Sequence, residues 1–401
     1  MENKWFSLIG YRLSTEGRKP HTAHRTPALI LLAVFSGVLL ALAFSARNPW
    51  FLAWIGLIPL LSAIKGASRK RAFLLSYLCG IVFFAGTIYW VAWVTYAGTA
   101  ALVLYLALYL GLFGLFAARF IPGRYSMVVI PALWVSLEFI RSHAFTGFGW
   151  AVLGYSQYKV LGVIQIADIL GAYGVSFLIV MANVAIYEII ESRLSVIGYR
   201  LSGEHRTPHT AHRTTKHILL ATSLCLIATL LYGYFRLHQQ FITPAIRVSL
   251  IQGNIPQVEK WDEGYRESIL EEYSLLTRLA VNDKPDIIIW PETSVPGLLN
   301  TEKDLEENLV KLAQETNTPL LVGSAMTSPL SAVHYYNSAV LISKDGEFLK
   351  QYDKLHLVPF GEFVPFEEIF PFLRFGHLEE AGAFSRGKEY VVFKIEEGKK
   401  R

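Results

Sequence analysis

Up to about residue 236 the chain is a series of long apolar runs, and from Ala245 onward alternating sequence with ordinary charge takes over. No other feature restricts the fold as much. Roughly 20 mostly apolar residues are needed to cross a bilayer as a helix, and in hydrocarbon an isolated segment can satisfy its own backbone only as a helix. Candidate spans are 28–46, 50–64, 72–96, 98–118, 126–142, 163–190 and 217–235, the second short enough to be re-entrant. The fold class expected is a multi-span α-helical membrane bundle of about seven spans over 27–236, followed by an α/β domain over 245–401. A polar tail, 1–26, precedes the bundle. The first apolar run begins too late for a secretory signal and lacks a small-residue cleavage site, so it reads as an uncleaved anchor.

Charge placement orients the bundle. Lys65, Arg69, Lys70 and Arg71 follow the second span, Arg119 and Arg124 the fourth, and Arg193 and Lys216 flank the loop after the sixth. The alternate loops carry Arg47, then no cation, then Arg141 and Lys159. The positive-inside rule therefore places the amino terminus in the cytoplasm. Seven spans place everything after Tyr234 on the outer face. The +5 net charge is no nucleic-acid signal, because the cations sit between apolar runs rather than along one face. In "HAFTGFGWAVLGYSQYKVLG", between spans five and six, Trp150, Tyr155 and Tyr158 are expected at headgroup level.

Only two cysteines are present, Cys79 and Cys225, each inside an apolar run. A disulfide framework is excluded, and both thiols are expected to be packed or lipid-facing and unreactive. A block "IGYRLSTEGRKPHTAHRT" at 9–26 recurs as "IGYRLSGEHRTPHTAHRT" at 197–214. Two distant copies cannot stack as a solenoid. Their paired histidines, His21 and His24, then His209 and His212, lack accompanying Cys or carboxylate ligands, so no metal site is expected. The blocks read as poorly ordered insertions in a tail and a cytoplasmic loop.

The second half begins with a strand, "AIRVSLIQGNIPQ", and a helix, "KWDEGYRESILEEYSLLTRLAV". Then come "PDIIIWPET" (strand), "EKDLEENLVKLAQETN" (helix), "TPLLVGSAM" (strand), and a hairpin turning at Lys344–Gly346. The order βαβαβ plus hairpin indicates a layered α/β domain, whose sites lie where strands end. Glu292 sits there, a carboxylate directly after "IIIWP". Taken alone, Glu292 or Glu362 reads equally as a loop cap, and Lys354 as a solvated lysine at a strand end. His334, His356 and His377 have no metal-like spacing and are taken as structural.

Together, "QGNIPQ…KW", "WPETSVP" and "YDKLHLVPFGEFVP" resemble the signature segments of the carbon–nitrogen hydrolase (nitrilase) superfamily. With "FTGFGW…LGYSQ" and "GAYGVSF" in a multi-span half, the resemblance narrows to the apolipoprotein N-acyltransferase family of the bacterial inner membrane. It implies a four-layer αββα sandwich outside a helical bundle. It also implies ping-pong transfer of an acyl chain from a phospholipid, through a cysteine thioester, to the α-amine of a diacylglyceryl-modified apolipoprotein. By that resemblance Glu292 is the general base and Lys354 stabilises the tetrahedral intermediate. Glu362 supports the site, and Trp261 lines the acyl site. Phospholipid, apolipoprotein and membrane lipid are the implied partners of a monomer that needs neither cofactor nor metal. These residue types suit the chemistry: a thiol near its free pKa needs a base beside it, and an oxyanion needs a fixed donor.

The chain departs from the family pattern in one respect. The nucleophilic cysteine belongs on a turn beyond "YVVFKIEEGKKR", and no cysteine follows Cys225. Ser385 is the nearest hydroxyl, but "AGAFSRGKEY" has no nucleophile-turn character. The expectation is a carboxy-terminally truncated acyltransferase whose sandwich is incomplete and which is inactive as written. The alternatives are a non-catalytic lipid-binding remnant and a membrane-tethered carbon–nitrogen amidase.

Overall fold

The computed structural model describes residues 26–93, 95–121, 123, 125–201, 209–240, 245–256, 259–260, 262–328, 331–359, 361–363 and 384–395. The chain divides into two compact units, Met1–Gln240 and Phe241–Arg401.

The first unit is helical. Its long helices are α1 (Thr26–Leu42), α3 (Arg69–Thr87), α4 (Tyr96–Ala117), α5 (Ser126–His143), α7 (Ala167–Leu201) and α8 (His209–Leu237); α2 (Ile58–Ile64) and α6 (Leu161–Ile164) are short. Among the described residues, four stretches are long and apolar enough to cross a membrane: Arg69–Thr87, Tyr96–Ala117, Ala167–Ser195 and His217–Leu237. Side-chain caps set two of the starts, Ser68 accepting from the Arg71 amide before α3 and Thr95 from the Gly98 amide before α4. A Cβ on Gly80 would lie 2.9 Å from the Ala107 Cα, so α3 and α4 meet backbone to backbone. Close approach through small residues suits a medium in which burying apolar surface drives nothing.

Several expected boundaries move. The stretch 50–64 is not one helix but a 3-10 turn, Trp50–Trp54, followed by α2, whose first turn carries Pro59. The stretch 72–96 also breaks, α3 ending at Thr87 before a second 3-10 turn, Tyr89–Trp93. Apolarity alone cannot distinguish these, because turn and helix bury the same side chains. The sixth stretch begins with α6, restarts as α7 and bends at Gly171, where φ is 63°. α7 runs on to Leu201 and α8 starts at His209, so both ends of the second repeat block are helical rather than disordered. Elongating a formed helix costs far less than starting one. The first block, 9–25, lies outside the described residues. Arg141 was counted as an outer-loop charge, yet it lies in the last turn of α5 and is buried. Trp150, Tyr155 and Tyr158 are exposed. Cys79 is buried in α3 and Cys225 exposed on α8.

The break at 50–64 leaves backbone groups without helical partners, Ala53 and Leu57 being fully buried, and buried side chains from elsewhere take them up. Asn183 on α7 accepts from Leu57 N at 2.9 Å and donates to Ala53 O at 2.9 Å. Gln157 donates to Trp50 O at 3.1 Å and accepts from Trp54 Nε1 at 2.9 Å. Asn48 donates to Ser156 O at 3.0 Å. Irregular backbone inside such a bundle is tolerated on these terms alone. In α5, Arg141 and Glu138 do similar work on the following loop. Arg141 Nη1 donates to Phe148 O at 2.9 Å and Trp150 O at 2.6 Å, while Glu138 Oε1 accepts from Leu153 N at 2.7 Å.

Among the described residues the second unit has one five-stranded sheet in the order β1 (Val248–Leu250), β2 (Ile287–Ile289), β3 (Leu320–Ser328), β4 (Ser331–Ile342), β5 (Phe348–Asp353). β1, β2 and β3 are parallel; β4 and β5 add antiparallel. α9 (Arg266–Ala280) and α10 (Lys303–Thr316) are the crossovers. Ile269 and Tyr273 of α9 and Leu305, Leu309 and Leu312 of α10 share one core with Ile288, Leu320, Val322 and Val340. Both helices therefore cover the same face. Among the described residues this is one sheet and one helical layer, two of the four layers expected. Val248 and Leu250 pair with Ile287 and Ile289, so they lie on the opposite face from Ile288 and the helices; Leu250 is 75% exposed.

Replacing Asn183 by Ala orphans Leu57 N–H and Ala53 C=O together, a loss of about 2–6 kcal/mol at ~1–3 kcal/mol per buried group. Denaturant unfolding in detergent micelles measures it, and a change below about 0.5 kcal/mol, the range of an ordinary surface substitution, would show that these bonds are not what holds the break.

Candidate active site

The segment that carries Glu292 is held from both sides. Trp290 is buried, stacks on Tyr273 with ring centroids 4.9 Å apart, and donates from Nε1 to Thr277 Oγ1 at 2.8 Å. Its backbone extends the β2–β3 pairing, Trp290 N donating to Leu321 O at 2.9 Å. The chain then turns at Pro291, with Thr293 in the left-handed region at φ 46°. Ser294 N and Val295 N both donate to Gly323 O, at 2.9 and 3.1 Å. The turn sits so close to β3 that a Cβ on Gly323 would lie 2.3 Å from Pro291 O and 2.7 Å from the Glu292 Cα. The glycine in "LLVGSAM" is thus what lets a carboxylate project from the strand end.

Three residues expected in the site converge there. Lys354 directly follows β5, and its amide donates to Asn337 O on β4 at 2.8 Å. Its Nζ lies 2.7 Å from Glu292 Oε1 and 3.0 Å from Glu362 Oε2. Glu362 is fixed by a turn of its own, its Oε2 accepting from Val358 N at 2.7 Å and its amide donating to Val358 O at 2.9 Å. Trp261, the fourth expected residue, lies outside the described residues.

Two further residues belong to the cluster and were not singled out in the sequence. Asn337 is buried, and its Nδ2 donates to Glu292 Oε1 at 2.5 Å and Glu362 Oε1 at 2.6 Å. Lys260 Nζ donates to the main-chain oxygen of Glu292 at 3.0 Å. Asn337 had a signal: an amide in the middle of "YYNSAVLIS" falls on a buried position of a central strand, where a polar group needs a partner. Lys260 had none, being one cation in a charged stretch. The segment containing Ser385 also reaches the site through its backbone. Phe384 N donates to Glu362 O, Ser385 N to Tyr335 O and Gly387 N to Lys354 O, at 3.2, 2.7 and 2.9 Å.

The electrostatics favour a charged cluster. Burial raises the Glu292 carboxyl, but the bond and charge of Lys354, the Asn337 amide and the charge of Lys260 outweigh it and hold the group below its ordinary value. Burial lowers the Lys354 ammonium, and its bonds to Glu292 and Glu362 more than reverse that. Burial lowers the Lys260 ammonium, an effect that Glu292 offsets only in part. Glu292 is therefore ionised at neutral pH, with Oε1 committed to Lys354 and Asn337. Among the described residues no donor bonds to Oε2. A carboxylate with one oxygen tethered and one available is a base held in a fixed orientation. No group of three or more His, Cys, Asp or Glu side chains with metal-binding geometry occurs among the described residues.

Comparison with known proteins defines the class. Residues 36–185 match the apolipoprotein N-acyltransferase N-terminal domain, and residues 247–399 match the carbon-nitrogen hydrolase domain. The apolipoprotein N-acyltransferase of Geobacter metallireducens is 37% identical over 383 residues, covering 92% of this chain and 71% of that protein. That of Haemophilus influenzae is 32% identical over 360 residues, covering 84% of this chain and 65% of that protein. An amidase from Neterenkonia sp. AN1 aligns over 36% of this chain and 51% of its own at 17% identity and a TM-score of 0.26, too slight a likeness to argue from. A membrane-embedded acyltransferase with a carbon–nitrogen hydrolase domain is the class that helices, site and matches define together. The chain belongs to the apolipoprotein N-acyltransferase family.

Gly323→Ala drives a methyl into the Pro291–Glu292 backbone, and overpacking of this kind costs about 1–3 kcal/mol. Thermal unfolding of the full chain should register the loss. A Gly323→Ala protein as stable as wild type would mean that the turn can move away freely. Acid titration gives a second check. A carboxyl depressed in the folded state adds stability that is present above the ordinary value of 4.5 and is lost as pH falls through the folded value. Glu292→Gln should flatten the acid limb of stability against pH below 4.5; an unchanged limb would remove Glu292 from the ion cluster.

Proposed function

We propose that the second unit is an acyl-transfer centre that moves an acyl chain from a phospholipid to the terminal amine of a diacylglyceryl-modified apolipoprotein. The observation that carries this reading is the sharing of one ammonium between two carboxylates, Lys354 to Glu292 at 2.7 Å and to Glu362 at 3.0 Å, with no donor on Glu292 Oε2 among the described residues. In the proposed cycle Glu292 takes the proton of an attacking thiol, returns it to the departing lysophospholipid oxygen, and later takes the proton of the acceptor amine and passes it to the departing thiolate. Lys354 pairs with Glu292 and stabilises the tetrahedral intermediate, Glu362 and Asn337 hold Lys354 and Glu292 in register, and Trp261 lines the acyl chain. Among the 401 residues the cysteines are Cys79 on α3 and Cys225 on α8. The 401 residues alone are therefore proposed not to form the thioester. The protein acts as a multi-pass monomer of the bacterial inner membrane, with the second unit in the periplasm. Cation-poor alternate loops support that orientation, the more so with Arg141 removed from them.

The test is complementation of a strain depleted of its own N-acyltransferase, with lipoprotein amino termini read by mass spectrometry. A gene product that joins these residues to a nucleophilic thiol restores N-acylation, and Glu292→Gln lowers it about 10²–10⁴-fold, the usual contribution of a general base. The 401 residues alone leave the amine free. Undiminished acylation by Glu292→Gln would remove the base, and acylation by the 401 residues alone would show that a residue of this chain serves as nucleophile.

A further inference from the structure

The turn that carries Glu362 is bonded mainly to itself. Glu362 N and Gly361 N both donate to Val358 O, at 2.9 and 3.2 Å, and Val358 N donates back to Glu362 Oε2 at 2.7 Å. Among the described residues, the one main-chain hydrogen bond between this turn and another segment comes from Phe384, whose amide donates to Glu362 O at 3.2 Å. The residues after Phe384 carry the connection further. Ser385 N donates to Tyr335 O on β4 at 2.7 Å, and Gly387 N to Lys354 O, directly after β5, at 2.9 Å. Phe384 also forms a parallel bridge to Tyr335, two residues before Asn337, and the Arg386 guanidinium lies 5.0 Å from the centre of the Phe363 ring. The short stretch "FSRG" thus ties three pieces of the site together through three amide hydrogens. Gly387 sits where a side chain does not fit. A Cβ there would lie 2.8 Å from the Asp353 carbonyl carbon, closer still to its oxygen, and 3.0 Å from the Asp353 Cβ. Glycine permits such an approach of main chain to main chain.

We infer that Phe384–Gly387 is a clasp that fixes the Glu362 carboxylate against the Lys354 ammonium, and that Gly387 is its positioning residue. The inference deepens the acyl-transfer reading above by naming what sets the geometry of that site. Lys354 and Glu362 stand on separate segments, and a pair of long side chains loses rotamer freedom when held in one geometry. The clasp reduces that loss by fixing both main chains first. It bonds the carbonyl of each residue, and through Tyr335 it ties both to the strand that carries Asn337. Asn337 in turn donates to Glu292 and Glu362. Removing the clasp leaves the Glu362 turn held to the sheet by its side chain, through Lys354 and Asn337.

Competitive labelling of lysines tests this without turnover. The full 401-residue chain in detergent micelles is exposed to trace acetic anhydride, and the acetylation rate of each lysine is read by mass spectrometry. The free amine is the nucleophile, so a lysine held as its ammonium labels slowly. Burial lowers the Lys354 ammonium, and its bonds to Glu292 and Glu362 more than reverse that, so Lys354 is slow in wild type. Gly387→Ala should speed Lys354 about 3- to 10-fold as the ammonium returns toward its ordinary value. Glu362→Gln should act by a similar factor, and the double variant should label no faster than the single ones, because both changes remove one interaction. Ile269→Val thins the core beneath α9 without touching the clasp, and should leave Lys354 within about 2-fold of wild type. A second measurement needs no variant. Hydrogen exchange on wild type should find the Phe384, Ser385 and Gly387 amides protected about 10-fold or more relative to those of exposed Glu389 and Tyr390. Unchanged Lys354 labelling in Gly387→Ala, an equal rise in Ile269→Val, additive effects in the double variant, or unprotected clasp amides overturn the inference. Neither readout involves acyl transfer. A protected clasp with the expected labelling in a protein that never transfers acyl groups sinks the acyl-transfer reading and leaves the clasp standing.

Discussion

The second unit depends on one ammonium, that of Lys354, standing between two carboxylates. Glu292 and Glu362 both lie within hydrogen-bonding distance of the Asn337 amide. Two carboxylates sharing so small a space repel, and one would ordinarily take up a proton. Lys354 pairs with both, and Asn337 supplies a hydrogen to each without adding charge. The arrangement brings together a strand-end turn, the middle of β4, the end of β5 and a short loop. Its geometry is only as good as the sheet beneath it, where Gly323 admits the Glu292 turn and Trp290 anchors it.

The first unit obeys the same constraint in another solvent. Several of its buried polar residues answer backbone groups that helix breaks have left open. Asn183 and Gln157 serve the broken stretch at 50–64, and Arg141 and Glu138 serve the loop from Phe148 to Leu153. Polar side chains are costly in an apolar bundle, and their presence marks where the backbone is irregular. The loop carrying Trp150 and Tyr155 is thereby held by charges at its base while its aromatic rings remain exposed.

Membership of the apolipoprotein N-acyltransferase family connects the two units functionally. The site geometry adds the partners: among the described residues Glu292 Oε1 accepts from Lys354 and Asn337, and Lys354 is bonded to both carboxylates. Residue identity alone does not show such partners.

Much of this was legible in the order of the residues. The change from apolar runs to alternating sequence near residue 236 separated a helical half from an α/β half, because the length and period of apolar runs answer directly to solvent and backbone geometry. The order of strands and helices after Ala245 foretold the βαβαβ-hairpin sheet, and strand-end placement drew attention to Glu292. The sequence could not show where apolar runs break into turns, as at Trp50 and Tyr89, since burial is the same in both. Nor could it show that Arg141 is buried, that the second repeat continues two helices, or that Asn337 and Lys260 stand beside Glu292. Those facts depend on contacts between residues far apart in the chain, 45 positions for Asn337 and Glu292 and 62 for Lys354 and Glu292. Local pattern sets which elements form, while hydrogen-bond and charge partners across the sheet exist only once the strands are in register.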